Sequence, residues 1–399
     1  MGTIKVGSQW VRSGGANFAE RRINQALHVV VPSAIHDDYC GSYPLTYEFS
    51  VPVDGAGCKG QWRPSRGDSW QDLPAPGAER EDGVELARFD YQNGLAYLSV
   101  PFAATSDELY LRVVDAVGNP TGNPTGNVCE FYDNRRSAVV VTYDDWFGDT
   151  HAPFLNAAAA HQANRLWMSP GINGEYPSTP PNYPLGPLTE LQWGEMADVV
   201  AAGWVEPHNH GLTHQNASTY ADQADAENDI VGGRQAILDH VTMPPQSRRG
   251  ATQYAHGFVE PNGASTALAR QVLGENKFLS DRRVASGMTT WTTWDATNGL
   301  YNRSGYGVLV QAAGSVTADT VARDAIIAHF DARHAAGGEI ILIYSYPYLW
   351  NDTTFAQGTP GADWIEHVGS HDDIWSVGWG HIYQYRRLWE TVTATAVRQ

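Results

Sequence analysis

The period of the hydrophobic residues changes once along this chain, near residue 135, and that change limits the fold more than composition does. Before it, "LTYEFSVPV", "LARFDYQNGLAYLSVPF" and "ELYLRVVDAVGNP" alternate apolar and polar side chains between Gly, Pro and Asp turns. Alternation with a period of two gives a segment one dry face and one wet face, which is how a half-buried strand is built. Strands at this spacing, with no helical pattern among them, predict an all-β sandwich over residues 1–135. After the change, "LTELQWGEMADVVAAG" carries Leu188, Leu191, Met196 and Val200 near helical spacing, with Thr189 and Gln192 as a capping box and Gly203 as the stop. "ADTVARDAIIAHFDARHAAGG" repeats the arrangement and leads into the apolar strand "EIILIYSY". Helices alternating with buried strands imply a parallel sheet, so residues 136–399 predict an α/β domain, a (β/α) barrel rather than a small open sheet. The near-duplicated "GNPTGNPTGNVCEFYDNRR" reads as the linker between the two.

At 399 residues the chain is too long for one ordinary core, which agrees with two domains. A formal charge of −18, with lysine only at 5, 59 and 277, argues against a nucleic-acid partner, because phosphate binding needs dense Lys and Arg. No stretch approaches the roughly 18 apolar residues of a membrane span. The first thirty residues lack the order of a signal peptide, so localisation stays open, with secretion or the cell surface after signal removal as the alternative. Cys40, Cys58 and Cys129 form no C-x-x-C pair and leave two readings, a Cys40–Cys58 disulfide or buried free thiols.

Two stretches carry chemistry. "VVVTYDDWFGD", residues 139–149, has an apolar β-branched run that ends on adjacent Asp144 and Asp145. Groups at the carboxyl end of a buried strand are where α/β folds keep their reactive side chains. "GWVEPHNHGLTHQ" holds His208, His210 and His214, and in a helix the H-x-x-x-H spacing would put His210 and His214 on one face, as a metal site requires. A carboxylate with two imidazoles leaves coordination positions open, the form of a catalytic site. The plainer alternative is that Asp144 starts a turn and Asp145 caps a helix.

"TYDDW" resembles the first motif, T-F-D-D-G, of the polysaccharide deacetylases (carbohydrate esterase family four, including the chitooligosaccharide deacetylases), and "NHGLTH" resembles their second, N-H-[ST]-x-x-H. "LQWGEMADVVAAG", "AILDHV", "TQYAHGFVEPNG" and "HDDIWSVGWGHIYQYRR" resemble later segments of that family in the same order, over about residues 136–390. The resemblance implies a distorted (β/α) barrel in which Asp145, His210 and His214 bind a metal, usually zinc, and Asp144 is the general base. The activity it implies is hydrolytic removal of acetyl groups, N- or O-linked, from a polysaccharide or oligosaccharide. In the amino-terminal region, "RVVDAVGNP" resembles the late-strand pattern of immunoglobulin-like and fibronectin-type modules.

The chain also departs from the family. Ala255 and His256 stand where the third motif often has an Arg that orients the base, and Tyr344, Ser345 and Tyr346 stand where the fifth normally supplies a His. His256, or Tyr344 and Tyr346 as hydrogen-bond donors, are the candidates for the missing acid. The glycine of the first motif is Trp146, which adds bulk beside the metal and is a candidate for substrate binding. Of the aromatic residues Trp291, Trp294, Tyr346, Tyr348, Trp350, Trp364, Trp375 and Trp379, Trp350 and Trp379 are the preferred exposed platforms for a sugar. His371 with Asp372 and Asp373 reads as a solvated loop. Two further functions stay open, a non-catalytic carbohydrate-binding protein on a degenerated barrel and a lyase-like polysaccharide-cleaving enzyme using Tyr344 or Tyr346.

Overall fold

The computed structural model describes residues 3–5, 25–39, 43–53, 57–176, 186–249, 252–263, 265–283, 294–304, 308–310 and 316–398. Cys40 and Trp291 lie outside the described residues. The chain is mixed α/β with several sheets and divides into two units, 1–135 with 248–252 and 384–399, and 136–247 with 253–383.

The first unit is built from two antiparallel sheets. One runs in the order Thr3–Lys5, Thr393–Arg398, Gln25–Val30, Glu108–Val114, Lys59–Arg63 and Gln71–Asp72, the other Leu86–Asp90, Leu95–Val100, Leu45–Ser50 and Asn123–Val128. They approach closely at Gly60, where an added Cβ would lie 2.6 Å from Ala87 and 3.1 Å from Leu98 of the other sheet. Two sequence expectations change here. The segment read as a linker contains the strand Asn123–Val128, paired with Leu45–Ser50. The last strand, Thr393–Arg398, pairs over six residues with Gln25–Val30, so the carboxyl end belongs to this unit and not to the α/β region. The pattern "TATAVR" alternates too briefly to reveal a partner that far away in sequence. Cys58 and buried Cys129 are free cysteines, while Cys40, the other half of the expected pairing, lies outside the described residues.

The second unit has a sheet in the order Trp294–Asp295, Leu300–Ser304, Ser280–Arg283, Gly257–Val259, His208–Asn209, Met168–Ile172, Ser137–Trp146, Ile340–Ser345 and Val308–Val310, with Ile374–Ser376 beside the start of Ser137–Trp146. Its ladders are parallel apart from Trp294–Asp295, and the helices His151–Ala163, Glu190–Ala201, Gln223–His240, Ala267–Glu275, Val316–Ala336 and Pro360–Gly369 fall between the strands in sequence. Val139, Val140 and Val141 of the central strand are all fully buried, as a β-branched run covered on both faces must be. The capping box forms: the Thr189 hydroxyl accepts from Gln192 N–H, and the Gln192 side chain accepts from Thr189 N–H at 2.9 Å. Leu191 is exposed, and Trp193, Met196 and Val200 make the dry face instead. Among the described residues no helix is long and apolar enough to cross a membrane.

One buried imidazole ties this core together. His161, on His151–Ala163, lies with its Nδ1 2.8 Å from the Leu166 carbonyl oxygen and its Nε2 2.9 Å from the Tyr143 hydroxyl. A carbonyl can only accept, so Nδ1 carries the proton, Tyr143 donates to Nε2 and the ring is neutral. Burial pulls its pKa down to about 4 from an ordinary 6.5. With the folded value depressed, the unfolded chain takes up the proton first, so the stability is complete above about pH 6.5 and is lost as pH falls towards 4. The thermal midpoint should therefore fall over this interval, and His161→Gln should lower it at pH 7 and flatten the fall, as differential scanning calorimetry at several pH values will read.

Candidate active site

The two aspartates reach the sheet's carboxyl edge through a break in register. Tyr143 pairs with Pro170 and Trp146 with Ile172, so three steps along one strand oppose two along its neighbour. This extra residue is a bulge, and Asp145 occupies it with φ of +70°. On a regular strand, adjacent side chains point to opposite faces. The bulge and the left-handed turn give the neighbouring carboxylates different partners in one place. Opposite it stands Gly171, whose absent Cβ would lie 3.2 Å from the His210 Cβ.

His210 follows the short strand His208–Asn209, and the loop after it is not the helix that the H-x-x-x-H spacing suggested. Gly211 and His214 both have positive φ, +79° and +59°. Asp229 of Gln223–His240 holds this turn, accepting 2.8 Å hydrogen bonds from both the Thr213 amide and its hydroxyl and 2.9 Å from the Tyr220 hydroxyl. Asn173 supports it from the other side by donating to the His210 carbonyl. His210 and His214 thereby bring their Nε2 atoms to 3.3 and 3.2 Å from Asp145 Oδ1.

Protonation follows from the surroundings. His210 Nδ1 lies 2.8 Å from the Val259 carbonyl, so it carries a proton and Nε2 faces the carboxylate. Burial would raise Asp145, but the His210 and His214 imidazoles outweigh it and hold the carboxyl well below its usual range. Burial would lower His210, and the same contact with Asp145, with Asp144 nearby, raises it instead. Asp145 Oδ1 is buried and makes no hydrogen bond of good geometry. Two imidazole nitrogens and a carboxylate oxygen facing one another without good hydrogen bonds are what a cation relieves. The three residues offer ligand atoms within 4.8 Å of one another and fit a divalent ion.

Two residues at the site, Arg282 and Tyr176, were not named from the sequence, and a third, Tyr348, was named only among the aromatic residues. Arg282, on Ser280–Arg283 and fully buried, donates through Nη2 to Asp144 Oδ1 and lies 4.6 Å over the Tyr344 ring. The guanidinium beside Asp144 therefore comes from another strand. Tyr348, in the turn after Ile340–Ser345, donates to Asp145 Oδ2 at 2.7 Å. Tyr176 lies beside His214, with ring centroids 5.2 Å apart. No local signal marks Arg282 in "SDRR", since only strand order brings it opposite Asp144. Tyr344, Tyr346 and Tyr348 pack ring against ring, 5.0 and 5.5 Å apart. Burial, reinforced by the nearby aspartates, drives all three phenols well above their ordinary pKa, so they are neutral donors rather than acids at neutral pH.

Other expected residues stand elsewhere. Trp146 is fully buried, stacked on Phe154 at 4.8 Å and donating to His151 Nδ1, so it belongs to the core and not to a sugar platform. Trp350, 3% exposed, donates to the Ser345 hydroxyl, and Trp379 is 1% exposed; neither offers a face to solvent. A tryptophan beside an apolar strand is worth more as buried area than as an exposed ring. His256, fully buried, precedes the strand Gly257–Val259, while His210 rests on the carbonyl at that strand's far end. Three residues of extended chain put it roughly 10 Å from that carbonyl.

No protein-family model matches this chain, and no curated protein does. Similar solved structures include a protein of Mycobacterium smegmatis assigned to the polysaccharide deacetylases, at 16% identity over 64% of this chain and 92% of that one, with a TM-score of 0.48. A family 4 carbohydrate esterase from Streptomyces lividans in complex with acetate is 19% identical over 59% and 91%, TM-score 0.34. A family 4 acetyl xylan esterase from Clostridium thermocellum in complex with a cobalt ion is 13% identical over 62% and 90%, TM-score 0.37. Likenesses this distant leave function to the side chains.

Tyr348→Phe tests the support of the carboxylate. Losing the hydroxyl frees Asp145 Oδ2, and zinc affinity should fall roughly 10- to 100-fold by competition with a chromophoric chelator, the usual scale for a partner behind a ligand.

Proposed function

We propose that this chain is a metal-dependent hydrolase that removes acetyl groups, N- or O-linked, from a polysaccharide or oligosaccharide, on a distorted barrel of the polysaccharide deacetylase type with a β-sandwich accessory module. The observation that supports it most is the division of labour at the bulge: Asp145 faces two imidazoles while Asp144, the next residue, faces a guanidinium. The two antiparallel sheets meeting at Gly60 support the sandwich reading of the first unit.

Asp145, His210 and His214 would hold the ion, and two imidazoles with a carboxylate favour zinc or a similar borderline cation. Such an ion supplies an acidified water and a polarised acetyl carbonyl. The protein does the rest. Asp144 takes the proton of the attacking water on its carboxylate, aimed by Arg282, and returns it to the departing oxygen or nitrogen. One carboxylate used in both directions accounts for a site with no histidine in the fifth motif. Tyr348 fixes the Asp145 carboxylate, and the Val259 carbonyl fixes the His210 tautomer. Tyr346, whose phenol burial holds above its ordinary pKa, can donate to the developing oxyanion. Tyr176 and Tyr348, rather than the tryptophans, offer rings beside the metal ligands for a sugar face.

The test is acetate release from a panel of acetylated glycans, with metal measured on the same samples. Wild type should release acetate and lose the activity to a chelator. Asp144→Asn should keep its metal and lose roughly 10²- to 10⁴-fold in rate, the usual contribution of a general base. Asp145→Asn should lose both, with partial rescue by excess zinc. Wild-type rates in Asp144→Asn would remove Asp144 as the base. Metal binding without acetate release from any glycan would favour the carbohydrate-binding reading.

A further inference from the structure

A second group of ligating side chains lies on two helices of the second unit and just past the end of one, where His371 opens the segment that the sequence presented as a solvated loop. We propose that Asp331, His367 and His371 form a second divalent-cation site, one that clamps the helix Val316–Ala336 to the helix Pro360–Gly369. Their ligand atoms lie within 4.8 Å of one another, and His367 Nε2 is 2.7 Å from Asp331 Oδ1.

Three features make this more than a chance meeting of polar groups. The first is tautomer selection. His371 Nδ1 lies 3.0 Å from the carbonyl of His367, one helical turn back, so Nδ1 carries the proton and Nε2 is the ligating nitrogen. The Val259 carbonyl imposes the same state on His210. The second is the floor. Phe330 is fully buried and meets His371 edge-on at 4.8 Å and 71°, and His367 at 5.9 Å and 90°. An apolar ring beneath two imidazoles limits their rotation and keeps water from one side, so less ordering is needed on binding. The third is the border. His334 stacks on Phe330 and lies 5.1 Å from the His371 ring, but its Nδ1 contacts the Ser137 hydroxyl and its Nε2 contacts Asp373. It frames the site without joining it.

Two imidazole nitrogens and one carboxylate favour zinc, nickel or copper over magnesium or calcium, which prefer oxygen ligands. The ligands come from two helices, one of them from just past its end. An ion there binds the folded arrangement and not the unfolded chain, so its effect is stabilisation by mass action.

Zinc titration of the full-length chain by equilibrium dialysis, with elemental analysis, tests this independently of the hydrolase reading. Wild type should bind two equivalents. His367→Gln and His371→Gln should each lose one equivalent and keep the one that depends on Asp145, while Asp145→Asn should show the reverse. With free zinc at about 100 times the dissociation constant of this site, the unfolding equilibrium of Asp145→Asn should shift about 100-fold towards the folded state. Adding His367→Gln should abolish that shift. Asp331→Asn gives the same reading should either histidine variant fail to fold. Equal zinc content in wild type and in His367→Gln, His371→Gln and Asp331→Asn alike would overturn the proposal. A wild-type chain that binds one equivalent only, lost in His367→Gln and kept in Asp145→Asn, would count against the hydrolase and leave the helix clamp standing.

Discussion

The site depends on one irregularity, the extra residue at the end of the central strand. A strand alternates, so two adjacent carboxylates on regular backbone would be divided between opposite faces of the sheet. The bulge at Asp144–Asp145 removes that constraint and puts Asp145 in the left-handed region, a conformation that costs of order 1–3 kcal/mol for a residue other than glycine. The surroundings hold it there. The Thr150 hydroxyl donates to the Asp145 carbonyl at 2.6 Å, the Tyr348 hydroxyl holds the carboxylate, and the strand is clamped by parallel ladders on both sides.

From this follows the electrostatic arrangement. Asp144 and Arg282 form an ion pair with almost no exposure to solvent, and removing one member of such a pair leaves an uncompensated charge that costs about 3–5 kcal/mol. The pair therefore holds the carboxylate in place beside a permanent positive charge. Asp145 is handled in the opposite way, with one oxygen tied to a phenol and the other turned towards two imidazoles, of which His210 is fixed by the Val259 carbonyl at its far nitrogen. One carboxylate has a permanent cation beside it. Its neighbour has the geometry to receive one.

Aromatic residues divide by the same logic of burial. The indoles of Trp146, Trp350, Trp364, Trp375 and Trp379 are all at least 97% covered, since large apolar rings stabilise a sheet most when fully dry. Tyrosines take the polar edge because a hydroxyl gives a buried ring a partner, as Tyr348 finds in Asp145 and Tyr143 in His161. A reading that ranks rings by size looks for the sugar platform among the wrong residues.

The sequence by itself determined what is local. The change of hydrophobic period separates antiparallel sheets from α/β structure, the valine run makes the central buried strand, and Thr189 with Gln192 starts a helix. The motifs also picked out Asp145, His210 and His214, because each sits in a short stretch at the end of a parallel strand, and one strand, Met168–Ile172, separates the two ends. Tertiary structure decided whatever depends on register and strand order. It placed Arg282 opposite Asp144 from 138 residues away, replaced the expected histidine helix with a turn pinned by Asp229, and returned Thr393–Arg398 to a sheet begun near the amino terminus. It also brought His367 and His371 over Phe330 beside Asp331. A residue's propensity and period are properties of a few consecutive positions. Which carbonyl fixes a tautomer, or which guanidinium meets a carboxylate, is set by pairings that no short stretch of chain contains.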